Sequence, residues 1–202
     1  MSQVNFSSTS SVSFGELGPT TSLQLMFAQL QLELAETAKT QAMDKMDAIA
    51  TAQDEQKLVS QLLNEARQAQ ADAKAGVGND QAKTQTYELP KQDANGNVVY
   101  ETVTETVPKG NNATFMSQEM VDYMDANGLA YDKTGNNHSH SADEWDVAIT
   151  ALESRLEELG TNTQQEMVYV QDYMGQYNSY LQGANTQIAN ANQTLTNLAR
   201  GQ

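Results

Sequence analysis

The sequence predicts a mainly α protein: a long antiparallel helical hairpin, packed as a coiled coil, with a small α+β insert containing a β-hairpin. Three observations predict it. An apolar seam runs from Trp145 through Ile149, Leu152, Leu156 and Leu159, passes a polar Thr163, and resumes at Met167, Val170, Met174, Tyr177, Leu181, Ala184, Ile188, Ala191, Leu195 and Leu198. Alternating steps of three and four keep such a stripe on one side of a helix. A second apolar-periodic stretch, without proline, lies between Ser22 and Lys74. The segment between the two changes character and alternates with a period of two. At 1.5 Å per residue the last helix would be roughly 75–80 Å long, so its stripe needs another long helix to cover it.

The elements follow in order. Residues 1–21 are Ser- and Thr-rich with almost no charge, the composition of a disordered segment. Pro19, Thr20, Thr21 and Ser22 form a helix-start signal with Thr21 or Ser22 as the cap. The first coiled-coil helix occupies residues 22–76, and glycines at 76 and 78 end it. Between Leu23 and Leu34 its apolar residues wrap most of the cylinder, which predicts burial on all sides, beneath the insert or between subunits. The insert, residues 77–141, opens with two strand-like runs, Thr86–Leu89 and Val98–Thr104, around an Asn95-Gly96 turn. Two strands alone are marginal, so the hairpin should lie against the helices or project as a tip. Ser117 caps a short helix from Gln118 to Ala126, which Asn127-Gly128 terminates. Leu129 to His140 reads as a polar loop. Ser141 and Glu144 form a capping box that starts the C-terminal helix of segment 142–202 at Asp143.

Composition narrows the function. The 202 residues carry 11 Lys and Arg against 26 Asp and Glu, a formal charge of −15. Such a chain is repelled by nucleic-acid phosphates and anionic lipid, so no nucleic-acid partner is expected. Aromatics make up only 6% of residues, too few for a large globular core. The absence of cysteine excludes disulfides, thiol chemistry and Cys-ligated zinc. The opening residues lack the basic start and apolar core of a secretory signal. The apolar stretch Leu23 to Leu34 is about half the ~20 residues a membrane span needs.

Several residues invite a chemical reading. His138 and His140 flank Ser139 like a zinc pair, but Asn136-Asn137-His138-Ser139-His140 has the composition of a solvated loop. Asp93-Ala94-Asn95-Gly96-Asn97 resembles a calcium loop, yet its glycine is fourth rather than sixth, and a hairpin turn explains the same residues. Glu157 and Glu158 are adjacent on a helix and diverge by ~100°. Phosphate-cradling, nucleophile-elbow and dinucleotide motifs are missing from the sequence. No catalytic, cofactor or metal residue is therefore assigned, and an enzyme is not expected.

The packing residues carry the expected function. Leu25, Phe27, Leu30, Leu34, Val170, Met174, Tyr177, Leu181, Ile188 and Leu195 are assigned to coiled-coil packing and self-assembly. From Thr161 to Gln202 the charged side chains are Glu166, Asp172 and Arg200, sparse for an exposed helix. Tyr169, Tyr173 and Tyr180 mark a second contact face. The five methionines at 116, 120, 124, 167 and 174 read as core, or as an adaptable binding surface.

Leu25-Met26-Phe27-Ala28-Gln29, opening a Gln/Ala-rich helix, resembles the first coiled-coil helix of the EspA/SseB-like proteins of type III secretion systems. Met120-Val121-Asp122-Tyr123-Met124-Asp125-Ala126-Asn127-Gly128 resembles their central segment, and the closing helix resembles their polymerising coiled coil. The Ser/Thr-rich opening resembles a type III export signal. The hairpin around Asn95-Gly96 departs from the family pattern. The resemblance implies a secreted subunit, cytoplasmic before export and extracellular at the bacterial surface afterwards, that polymerises into a filament or tip. It implies as partners other copies of itself, a cytoplasmic secretion chaperone, and needle and translocon proteins. Two alternatives stay open: a monomeric needle-tip protein of the same apparatus, and a cytoplasmic coiled-coil adaptor.

Overall fold

The computed structural model describes residues 23–133 and 137–201. The Ser/Thr-rich opening, the cap expected at Thr21 or Ser22, and Asn136 lie outside the described residues. The element order is α1 (Leu23–Ala75), β1 (Lys83–Gln92), β2 (Val98–Val107), β3 (Thr114–Phe115), α2 (Gln118–Ala126), β4 (Ser139–His140) and α3 (Trp145–Arg200). The protein is mainly helical, and its two long helices pack against each other. The chain divides into two compact units. Described residues 23–46 and 167–201 belong to unit 1, and residues 47–166 form unit 2.

Unit 2 holds the bulky core. Val59, Leu62, Leu63, Ala66 and Ala73 of α1 meet Trp145, Ala148, Ile149, Leu152 and Leu159 of α3. Here the observed seam is the one read from spacing. The helices run antiparallel: Arg67 Nη2 lies 2.7 Å from Glu153 Oε1, and Gln56 Nε2 donates to Thr163 Oγ1 at 3.3 Å. Met120, Val121 and Met124 of α2 close the core from the side, joined by Tyr87 and Met116. Glu55 ties the three helices together, accepting from Tyr123 Oη at 2.7 Å and from Arg155 Nη2 at 2.7 Å.

Local signals set the boundaries. Gly76 adopts φ 68°, and the Val77 N–H donates back to Asp72 O at 2.9 Å, so α1 ends in a left-handed cap. The Met120 N–H donates to Ser117 Oγ at 3.2 Å, the N-cap bond expected of serine. The Ser141 N–H donates to Glu144 Oε2 at 2.7 Å, while the helix proper begins at Trp145 rather than Asp143.

β1 and β2 pair antiparallel, from Lys83↔Val107 to Gln92↔Val98. They extend beyond the runs expected from composition, and the turn spans 93–97. Asp93 Oδ1 accepts from the Asn95 and Asn97 N–H groups at 2.8 and 2.9 Å, and Gly96 sits at φ 83°. Those bonds use the carboxylate to close a turn and explain the residues that imitate a calcium loop. One end of the hairpin is anchored through buried Tyr87 and Val107, while Val98, Val99 and Tyr100 at the other end are exposed.

The segment expected to be a polar loop is irregular over its described residues 129–133 and 137–138, but it is packed rather than solvated. Tyr131 is buried, and Ser139–His140 forms β4, paired with β3. His138 and His140, expected in solvent, are 8% and 1% exposed. Each has a partner that makes burial tolerable: Glu105 for His138, and Met116 with Trp145 for His140.

Candidate functional site

Unit 1 joins α1 and α3 through small side chains. Ala28, Ala35, Ala38 and Ala42 of α1 are buried, as are Ala184 and Ala191 of α3. Spacings of seven (28, 35, 42 and 184, 191) place each set on one helical stripe. Methyl-sized contacts let the backbones approach closely. At Gly183 an added Cβ would lie 2.6 Å from Gln31 Nε2, so the amide fills the space a side chain would take. The Lys45 ammonium lies 5.4 Å from the Tyr169 ring centroid, a second contact in the same antiparallel sense.

This arrangement turns the large apolar residues outward. Met167, Met174, Leu181, Ile188 and Leu195 recur every seven residues along α3. All are exposed except the half-buried Leu181. Leu23, Leu25, Met26, Phe27, Leu30, Leu32 and Leu34 of α1 are exposed as well, Phe27 by 49%. The expectation that this stretch is buried on all sides fails within one chain, because the helix pair covers only the alanine stripe.

The assigned packing residues thus divide. Val170 and Tyr177 lie on the stripe of buried Ala184 and Ala191 and are half-buried, as is Leu181. Leu25, Phe27, Leu30, Leu34, Met174, Ile188 and Leu195 stand outside it and are exposed. The second face divides too: Tyr173 and Tyr180 are half-buried, and Tyr169 is exposed. Inside unit 1 the seam is shifted by about one residue from the one read from spacing, toward Tyr173 and Tyr180 and away from Met174. The missed signal was the heptad of alanines. Met116, Met120 and Met124 are core residues of unit 2, whereas Met167 and Met174 are surface.

Unit 2 contains the polar cluster with the most chemical character. His138 Nδ1 lies 2.7 Å from Glu105 Oε1, and the His138 backbone N–H donates to the same carboxylate at 2.8 Å. Tyr87 Oη donates to Met116 O at 2.7 Å. Burial pushes the Tyr87 hydroxyl well above the usual phenol range, and the charge of Glu105 adds to it. Burial also holds the His140 imidazole below its ordinary value. A cleft of about 250 Å³ beside the cluster is lined by Leu89, Val103, Glu105, Tyr131, Lys133 and His138, among others. Its charged groups are already paired: Lys133 with Asp125 at 2.8 Å, and Glu105 with His138. The hydroxyl of Tyr87 is kept neutral and committed as a donor. These bonds tie the hairpin to Met116, the residue after β3, and to the segment leading into β4. Among the described residues no three His, Asp or Glu side chains converge to hold a metal ion.

Among the described residues no helix is long and apolar enough to cross a membrane. No protein-family model, curated protein or solved structure matches the chain.

Proposed function

We propose that this protein is a secreted structural subunit of a type III secretion system that assembles with copies of itself into an extracellular filament or tip. One observation carries the reading. Unit 1 spends its alanines on its own helix pair and leaves Met167, Met174, Ile188 and Leu195 on the surface at heptad spacing. A heptad stripe of large apolar side chains is the seam by which one helix packs on another, and exposed apolar area of this kind marks an association surface. The resemblance of Leu25–Gln29 and Met120–Gly128 to EspA/SseB-like proteins supports the secretion context. The same resemblance implies a cytoplasmic chaperone before export and contacts with needle and translocon proteins after it, and the exposed stripe offers such partners a surface.

The test is the Leu181→Arg/Ile188→Arg variant, examined by light scattering and electron microscopy of purified protein. The reading expects concentration-dependent, high-mass assemblies from the unaltered chain and their loss in the variant, with helicity retained. Assemblies at the original level in the variant overturn it. A unaltered chain that stays monomeric at all concentrations favours the needle-tip alternative. Export tests the other half: the intact chain is expected in culture supernatant, uncleaved at its N-terminus, and confinement to the cytoplasm favours an adaptor.

A further inference from the structure

The two edges of the β-hairpin are treated differently. The Glu88 N–H donates to Gln118 Oε1 at 2.9 Å, and Gln118 Nε2 donates to Glu88 O at 3.1 Å. The backbone of Glu88 therefore points away from β2, toward the side-chain amide of α2. Outward and inward groups alternate along an antiparallel strand, so Thr84, Thr86, Pro90 and Gln92 point outward with it. Pro90 has no N–H to offer at its outward position, and proline on an edge is a known block to strand addition. The β1 edge is thus closed twice, by Gln118 and by Pro90.

The β2 edge has no such block. By the same alternation Val98, Tyr100, Thr102, Thr104 and Thr106 turn their N–H and C=O groups away from β1. Among the described residues no hydrogen bond reaches these groups from outside the hairpin, and all five side chains are exposed, Tyr100 by 70%. The run Val98–Val107 is rich in β-branched residues, which suit a paired strand.

We propose that the β2 edge pairs antiparallel with the β2 edge of a second copy, about a two-fold axis at Thr102, making a continuous four-stranded sheet. Three features select a second copy as the occupant. The register is self-complementary: Thr102 faces itself, Tyr100 faces Thr104, and Val98 faces Thr106. Charge allows it in a strongly acidic protein, because each carboxylate of the strand already has a partner within its own chain. Glu101 Oε2 lies 2.7 Å from Lys91 Nζ, and Glu105 is hydrogen-bonded to the backbone N–H and ring of His138. In the paired register Glu101 falls opposite Val103 and Glu105 opposite Val99, so no like charges stand directly opposite, and Lys91 lies against the Glu101 carboxylate that comes diagonal to the second copy's acidic side chains. Bulk allows it as well. Val103 to Val107 is the anchored half of the strand and Val98 to Thr102 the free half, and the two-fold sets each free half beside the partner's anchored half. The contact belongs to unit 2 and does not depend on the apolar stripe of unit 1. As a single strand pair it is small, so it acts by adding to other contacts between copies.

The chain has no cysteine, so one introduced thiol reports one contact. Thr102→Cys is expected to form a disulfide dimer on mild oxidation with diamide. Facing residues that exchange both hydrogen bonds lie about 5.5 Å apart at Cα, within disulfide reach. Thr84→Cys, the equivalent outward position on the blocked edge, serves as the control. The expected result is crosslinking of Thr102→Cys about tenfold faster, as a thiol pair held at high effective concentration should show. Equal rates for the two variants overturn the proposal, and so does failure of both to crosslink. Thr102→Pro removes an outward N–H and no intramolecular bond. It is expected to leave thermal unfolding in place and to abolish noncovalent β2-dependent association in sedimentation, whereas unchanged association overturns the proposal. Repeating the crosslink in Leu181→Arg/Ile188→Arg separates the two surfaces: loss of large assemblies there speaks to unit 1, while the Thr102-to-Thr84 rate ratio speaks to β2 alone.

Discussion

Glycine-to-alanine substitution along α3 reads the packing of unit 1 directly. In an open helix interior the change stabilises by about 0.8–1.0 kcal/mol, because alanine orders the backbone at lower entropic cost. Gly175 lies in α3 with nothing within 4 Å of the position a Cβ would take, so Gly175→Ala should gain that full amount. At Gly183 the added methyl would meet Gln31 Nε2 at 2.6 Å and Oε1 at 2.8 Å. Gln31 must leave its rotamer or the helices must part. A displaced side chain costs about 0.5–1.5 kcal/mol, which offsets from half of the propensity gain to more than all of it. Gly183→Ala should therefore fall between a gain of about 0.5 and a loss of about 0.7 kcal/mol, short of Gly175→Ala throughout. The Gln31 Oε1 atom is buried with no hydrogen-bond partner among the described residues, so Gln31→Ala should itself cost little. In that background Gly183→Ala should recover the full gain, a coupling of about 1 kcal/mol across the pair. The assay is urea unfolding at low protein concentration, followed by circular dichroism. A gain at Gly183 equal to that at Gly175, or no coupling with Gln31, would refute the register of α1 against α3 in unit 1.

Further expectations concern unit 2. Leu62, 1% exposed in the core, should cost about 2–5 kcal/mol on replacement by alanine, read as a shift in the urea midpoint. Arg155→Met leaves Glu55 with only Tyr123 as a donor. Burial alone pushes the Glu55 carboxyl up, and the bonds from Tyr123 and Arg155 together with the arginine charge bring it below its ordinary value. The partly exposed pair should therefore be worth about 1 kcal/mol, seen as a lower midpoint at neutral pH and a smaller difference once Glu55 is protonated. His140 sets a pH dependence of its own. Burial lowers its folded pKa below 6.5, against the pull of Glu144, Asp132 and Glu105 and with that of His138. Below 6.5 the unfolded chain takes up a proton that the fold still refuses, so stability should fall as pH drops through that value. His140→Phe should flatten that part of the pH profile in urea titrations, and an unchanged profile would assign the dependence elsewhere.

The helices, the hairpin and the short helix were legible because their signals are local. Ser117 caps α2, Asn127-Gly128 ends it, and Asn95-Gly96 turns the hairpin through bonds to residues within four positions. The unit 2 seam was legible because Trp145, Leu152 and Leu159 are bulky and stand alone on their stripe. In unit 1 the same reasoning followed Met174 and Ile188, since a periodicity count weighs large side chains over alanine. Close packing reverses that weight: Ala35 and Ala184 are inside because they are small. The polar cluster was not legible either. His138 finds its partner Glu105 thirty-three positions away, and nothing near His138 in the chain signals it. The pairing of β4 with β3 is equally non-local. Of the exposed apolar stripe of unit 1, the residue types were visible in the sequence, but their outward direction needed the structure.

The central claim is that unit 1 keeps its large apolar residues on the outside until other copies cover them. Native methionines test it without any substitution, by hydrogen peroxide oxidation followed by mass spectrometry. In dilute protein Met26, Met167 and Met174, exposed by 41%, 49% and 40%, should oxidise quickly, while Met116, Met120 and Met124 of the unit 2 core resist. In the assembled fraction Met167 and Met174 should become protected. Protection of Met167 and Met174 already in the monomer would contradict the account, as would their undiminished oxidation within the assemblies.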